Sequence, residues 1–224
     1  IKPVIRLPRH VDLRENCSFV ENQGNLGSCT AQALAGNLEF LDNRTDSEYK
    51  DVSRLFIYYN ERLVEGTINE DSGAIIRDGV KVCNKYGFCS ETLLPYNVSK
   101  FKEKPSSGCY NSARKNVITQ YSAVNQTELD IKTALFSNHL VVFGFMVKDS
   151  LESDLVAKTG EYKPKAKEKI LGGHAVAICG YDDTKKVFII RNSWGIDWGQ
   201  KGYFTMPYKE VLNPKISNDF WVID

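Results

Sequence analysis

Histidine is scarce in this chain: only His10, His139 and His174 occur among 224 residues. None of the six cysteines forms a CxxC pair. With so few imidazoles and no paired thiols, neither a zinc site nor another cofactor is expected. Charge of one sign is also missing. Lys and Arg number 29 against 28 acidic residues, a net charge of +1, so nothing pulls the whole molecule toward nucleic acid or an anionic membrane. The basic stretches Lys100–Lys104 and Lys163–Lys169 are interrupted by Glu103 and Glu168 and read as solvated faces. No apolar run reaches the length of a membrane span; the longest, Leu140–Val147, is strand-sized. The chain opens at Ile1 with no methionine and no apolar leader, which reads as a processed or trimmed form.

What is present is ordinary globular material, 42% hydrophobic and 25% charged, enough for one large domain or two small lobes. Four Asn-x-Ser/Thr sequons, at Asn16, Asn43, Asn97 and Asn125, permit glycosylation. Residues 1–22, with Pro3 and Pro8, read as an extended arm. Ser53 is expected to cap an amphipathic helix Arg54–Leu63 with Leu55, Tyr58, Tyr59 and Leu63 inward. A third helix is expected from about Gly73 to Lys85, with Ile76, Val80 and Cys83 on one face. Residues 88–116 carry Pro95, Pro105 and Gly108 and read as loop. Cys89 and Cys109 flank much of it and could bridge. Beyond it, apart from a short helix Glu128–Phe136, strand signals dominate: Leu140–Val147, His174–Tyr181, Val187–Asn192, Gly202–Met206 and Phe220–Ile223. A helical front half (13–112) and a β-rich back half (113–215) indicate an α+β fold of two lobes with a cleft between them.

The stretch Gln23–Cys29 is a glycine-rich loop ending in cysteine. Behind it Ala31, Leu34, Ala35, Leu38 and Leu41 repeat at helical spacing. Ser28 is a good N-cap, so Cys29 should be the first helical residue. There the macrodipole favours a thiolate and should depress the thiol pKa. A cysteine on an apolar helix is ordinarily a buried core residue; a base elsewhere in the chain is what would make it a nucleophile. His174 follows Gly172-Gly173 and opens the apolar strand Ala175–Ile178. Asn192 lies in Arg191-Asn192-Ser193-Trp194-Gly195-Ile196-Asp197-Trp198-Gly199. Its side-chain carbonyl could orient the imidazole, with an indole shielding that bond from water.

Cys29, His174 and Asn192 occur in that order, His174 about 145 and Asn192 about 163 residues after Cys29. Together with Gln23-Gly24-x-x-Gly27-Ser28-Cys29, Asp71-Ser72-Gly73, Gly172-Gly173-His174-Ala175 and Arg191–Gly199, this arrangement resembles the papain-like cysteine peptidases over nearly the whole chain. The Gly172-Gly173-His174 run is closest to cathepsin B. The resemblance implies a papain-like two-lobe fold, a helical lobe on a β-barrel-like lobe. It also implies an endopeptidase with Cys29 as nucleophile, His174 as ion-pair partner and general acid/base, Asn192 orienting the imidazole, and Trp194 covering it. Gln23 becomes the side-chain donor of the oxyanion hole. Ser72, Gly73, Gly173, Trp194 and Asp219 become substrate-binding, Asp219 accepting a basic side chain if it reaches in. Implied partners are a peptide or protein substrate and an inhibitory propeptide, on a monomer in a secreted or lysosome- or vacuole-like setting. Two departures matter. Leu26 stands where the family has a disulfide cysteine, which weakens the case for an oxidising compartment. Thr30 replaces the aromatic after the nucleophile. Residues 88–112 contain no histidine, so the histidine-bearing occluding loop of cathepsin B is not expected. The competing classes are a catalytically silent papain-like binding module, an acyl transferase on the same scaffold, and a thiol-redox protein, which Cys29 without a resolving cysteine disfavours.

Overall fold

The computed structural model describes residues 6–44 and 50–224. Pro3, at the start of the arm, lies outside them. The arm contributes strand β1 (His10–Asp12) and runs on to helix α1 (Cys29–Arg44). Helices α2 (Arg54–Glu65) and α3 (Ile76–Lys85) pack against α1. The Ser53 hydroxyl caps α2 by accepting the Phe56 N–H at 3.2 Å. Leu55, Tyr58 and Tyr59 are buried as expected, but Leu63 is 41% exposed. It falls in the last turn, where α2 leaves its neighbours. Helix α3 starts at Ile76, not Gly73, because Gly73 has φ of +70° and ends a loop. The stretch read as loop contains a short helix, α4 (Ser107–Ala113), capped by Ser106. Cys89 and Cys109 share a small core with Phe56 and Ala113, as free thiols.

The back half adds β2 (Tyr121–Ala123), α5 (Glu128–Phe136), β3 (Val141–Lys148), α6 (Asp154–Thr159), β4 (Ile170–Asp182), β5 (Val187–Arg191), β6 (Tyr203–Pro207), α7 (Tyr208–Val211) and β7 (Ser217–Ile223). The strands form one antiparallel sheet in the order β2-β7-β3-β4-β5-β6, with β1 added to β4. The path has two ends, β2 and β6, so the sheet is open and does not close into the barrel-like lobe the resemblance implied.

Strand β4 is the axis of the sheet. Its residues 170–178 pair with β3, and 180–182 pair with β1 on that same edge. On the opposite edge β5 covers only 177–182. His174 therefore sits where one edge of β4 has no strand partner among the described residues. Side chains alternate across this strand with period two. Ala175 and Ala177 join Leu34, Leu38, Leu55, Tyr58 and Val80 in the core beneath the helices. Val176 and Ile178 join Phe143, Phe188 and Phe204 in a second core on the other face. Small alanines on the helical face let α1 approach the sheet, which brings Cys29 and His174 onto one cleft.

Candidate active site

Helix α1 begins at Cys29, as its apolar spacing requires, and the Gln32 N–H donates to the Ser28 carbonyl at 3.0 Å. The Ser28 side chain, expected as the cap, is engaged otherwise: its Oγ lies 2.7 Å from the Tyr96 hydroxyl. Tyr96 donates in turn to the Gln23 carbonyl at 2.8 Å. Both ends of the Gln23–Cys29 loop are thus tied to one tyrosine that no sequence pattern pointed to.

The loop is also fixed against the Asn192 segment. The Gln23 N–H donates to the Ser193 carbonyl at 2.9 Å, and the Gly195 N–H to the Glu21 carbonyl at 3.0 Å. The Ser193 hydroxyl donates to Gln23 Oε1 at 2.6 Å, which sets the amide the right way round. Gln23 Nε2 donates one N–H to the Leu26 carbonyl at 3.0 Å. An amide nitrogen carries two such donors, and Gln23 lines the cleft.

His174 Nε2 and Asn192 Oδ1 are 2.8 Å apart. An amide oxygen only accepts, so Nε2 carries the proton and Nδ1 is left free for proton transfer. Trp194 stacks on the imidazole, ring centroids 5.1 Å apart and planes 23° from parallel. Trp198 meets Trp194 edge-on at 5.0 Å. The second tryptophan therefore supports the first, and the pair seals the His174–Asn192 bond from water.

Cys29 and His174 open onto one cleft of about 510 Å³, lined also by Gln23, Thr30, Ser72, Gly73, Gly173 and Asp219. Trp194 and Asn192 do not line it. The indole is in contact with the imidazole that opens onto the cleft. Asp219, with φ of +58°, turns one carboxylate oxygen to the Trp221 indole N–H at 2.6 Å. The walls beside it are apolar: Ala74, Ile75, Ile76, Met146 and Ile216.

The expectation of a depressed thiol pKa is not met. Burial pushes Cys29 up, although the backbone N–H groups of Ala175, Thr30 and Cys29 itself work the other way. Burial likewise pushes His174 below the usual imidazole value, only partly offset by Asn192. Desolvation disfavours both charges, so both groups lean to their neutral forms.

Leu26 is buried in the helical core, so it fills space where the family has a disulfide. A polar clasp ties the same loop to the Asp71–Gly73 segment. The Gly27 N–H donates to both Asp71 carboxylate oxygens, at 3.0 and 3.1 Å. The Tyr58 hydroxyl donates to Asp71 Oδ1 at 2.5 Å and accepts the Gly73 N–H at 3.2 Å. Gly27 and Gly73 face each other closely: a Cβ on Gly27 would lie 3.0 Å from Asp71 Oδ1 and 3.5 Å from the Gly73 nitrogen. Asp71 was visible in the motif Asp71-Ser72-Gly73, but its role was not. Among the described residues no three His, Cys, Asp or Glu side chains gather in a group that could hold a metal ion.

Residues 7–221 match the model of the papain family of cysteine proteases. This chain belongs to that family. An uncharacterised peptidase C1-like protein of Acanthamoeba polyphaga mimivirus is 42% identical over all of this chain and 75% of its own length. Cysteine proteinase 1 of Entamoeba histolytica is 30% identical over 90% of this chain, which spans 64% of that relative's length. Among solved structures, xylellain, a cysteine protease from Xylella fastidiosa, superposes with a TM-score of 0.92 at 41% identity, covering 98% of this chain and 87% of the other. Membership in a papain family of cysteine peptidases accounts for the order of Cys29, His174 and Asn192 along the chain. No helix of the described residues is long and apolar enough to cross a membrane.

Proposed function

We propose that the chain is an endopeptidase acting through a Cys29 acyl-enzyme. The observation that carries this is the imidazole of His174, held by Asn192 at 2.8 Å beneath Trp194, opening with Cys29 on one cleft. Cys29 Sγ attacks the peptide carbonyl while its proton passes to His174 Nδ1. The developing oxyanion is met by the second Nε2 donor of Gln23 and the Cys29 N–H at the helix start, a contribution of about 100–1,000-fold in rate per donor. The imidazolium then protonates the leaving amine. Water, deprotonated by the same Nδ1, releases the acid and restores the thiol. Coupled proton transfer suits a site where burial disfavours separated charges.

An extended substrate backbone fits along Ser72–Gly73 and Gly173, which lack bulky side chains. The neighbouring apolar walls favour an apolar substrate side chain, with Asp219 at their rim. No residue of 88–112 lines the cleft, so the reading is endopeptidase rather than dipeptide trimming. A peptide blocked by N-acetylation and C-amidation tests this. It should be cut internally by the native chain, with Cys29 labelled once by an epoxysuccinyl inhibitor, and Cys29→Ala should lose both. Cleavage by the alanine variant overturns the assignment; removal of end residues only, from an unblocked peptide, overturns the endopeptidase reading.

A further inference from the structure

Glu61 is a fully buried carboxyl on α2, under the first turn of α1. Its Oε2 accepts the Thr30 hydroxyl at 2.8 Å, and Thr30 follows the nucleophile and lines the same cleft. Its Oε1 has no hydrogen-bond partner. That oxygen presses on α3, where a Cβ at Gly79 would lie 2.2 Å from it and 2.5 Å from Leu34 Cδ1. There is no room on this side for a larger residue.

A buried carboxylate with one oxygen unpaired is strongly disfavoured against the neutral acid. Burial pushes Glu61 up to about 8, and the Thr30 hydroxyl pulls it only partly back. The ionisable groups facing it are Cys29 on α1, Arg62 and Glu65 on α2, and Cys83 on α3. Cys83 is held as a thiol by its own burial. Glu65 adds repulsion. Arg62 is the sole cation of this group, and its guanidinium is turned to the carbonyls of Ile68, Glu70 and Phe101. A charge on Glu61 is therefore left largely uncompensated, one residue from Cys29 through the Thr30 bond and within electrostatic reach of its thiol.

We propose that Glu61 is a positioning residue for the nucleophile: as a neutral acid it anchors Thr30 and the first turn of α1, and once ionised it sets a negative charge behind Cys29 that suppresses the thiolate. This rests on Cys29 being the reactive thiol. Where the family has an aromatic after the nucleophile, this chain has the short Thr30 hydroxyl, which makes this bond from the first turn of α1.

The test follows alkylation of the Cys29-containing peptide by iodoacetamide against pH, by mass spectrometry. A neutral reagent of that size needs no substrate subsite. In the native chain the rise in rate with pH should break near 8. In Glu61→Gln, which mimics the neutral acid, the ratio of the rate at pH 9.5 to that at pH 7 should exceed the native ratio by about tenfold, one pKa unit of charge interaction. Thr30→Val removes a bond that favours the ionised form, so its break should move to higher pH. If Glu61→Gln does not fold, the Thr30→Val shift decides. Superimposable profiles with Cys29 still labelled overturn the role of Glu61 alone. Absence of Cys29 labelling in the native chain overturns the catalytic assignment itself.

Discussion

Asp71→Ala separates positioning from reactivity, because the two should move in opposite directions. The substitution removes the acceptor for the Gly27 N–H and for the Tyr58 hydroxyl, and so frees the tyrosine that holds Gly73. Hydrogen bonds to a charged acceptor are worth about 1.5–3 kcal/mol. Asp71 is exposed, so solvent screening brings each nearer to about 1 kcal/mol. Two such bonds make about 2 kcal/mol of preorganisation, or roughly a 10- to 30-fold loss in kcat/KM for a peptide that must lie on Gly73. The negative charge of Asp71 meanwhile raises the Cys29 thiol, so its removal makes that thiol more acidic. Alkylation by iodoacetamide at pH 7 should then be at least as fast as in the native chain. Stopped-time peptide assays and labelling kinetics on the same preparations read both effects, with thermal melting as a check on folding. If turnover and alkylation fall together, the clasp is general scaffolding. If kcat/KM is unchanged, the reasoning about a substitute for the missing disulfide is wrong.

Two further outcomes concern stability. A Cβ on Gly36 would lie 2.6 Å from Arg191 Nε, and that guanidinium is anchored to the carbonyls of Ser18 and Phe19 and the hydroxyls of Ser18 and Tyr203. Gly36→Ala gains about 1 kcal/mol of helix propensity but costs about 1–3 kcal/mol of overpacking plus displaced Arg191 bonds, so urea denaturation should show net destabilisation; a more stable variant refutes this packing. Glu39 and Glu61 are pushed up to about 7 and about 8 by burial, so the folded chain binds protons that the unfolded chain releases near 4.5. Stability should fall as pH rises from 4.5 to 8, and Glu61→Gln should flatten the upper part of that slope in melts recorded at fixed ionic strength.

The candidate site residues were legible because their surroundings are local in sequence. Cys29 follows a glycine loop and opens an apolar helix; His174 opens an apolar strand; Asn192 ends one. Each carries its own signal. What holds them was not legible. Tyr96, Ser193 and Tyr58 act through single hydroxyls brought in by tertiary contact, and a lone hydroxyl has no periodicity. The thiol pKa was misjudged for a related reason: a helix start is visible in sequence, but the burial that outweighs it comes from β4, far along the chain. The barrel expectation failed because strand signals show that strands exist, not whether their outermost members meet. Helix α4 was hidden by Pro105 and Gly108, which its Ser106 cap and short length accommodate.

The way β1 lies on β4 has a consequence for biosynthesis. His10–Asp12 pair with residues 180–182, and Leu13 donates to the Cys179 carbonyl. The arm leading to Cys29 thus has no seat until the second half of the chain has left the ribosome and β3 and β4 have joined. Contacts of such long separation form late and slowly. Cys29, into which the arm leads, therefore stays apart from His174 until β4 has been made and paired, and the cleft onto which both open is among the last features of the fold to form.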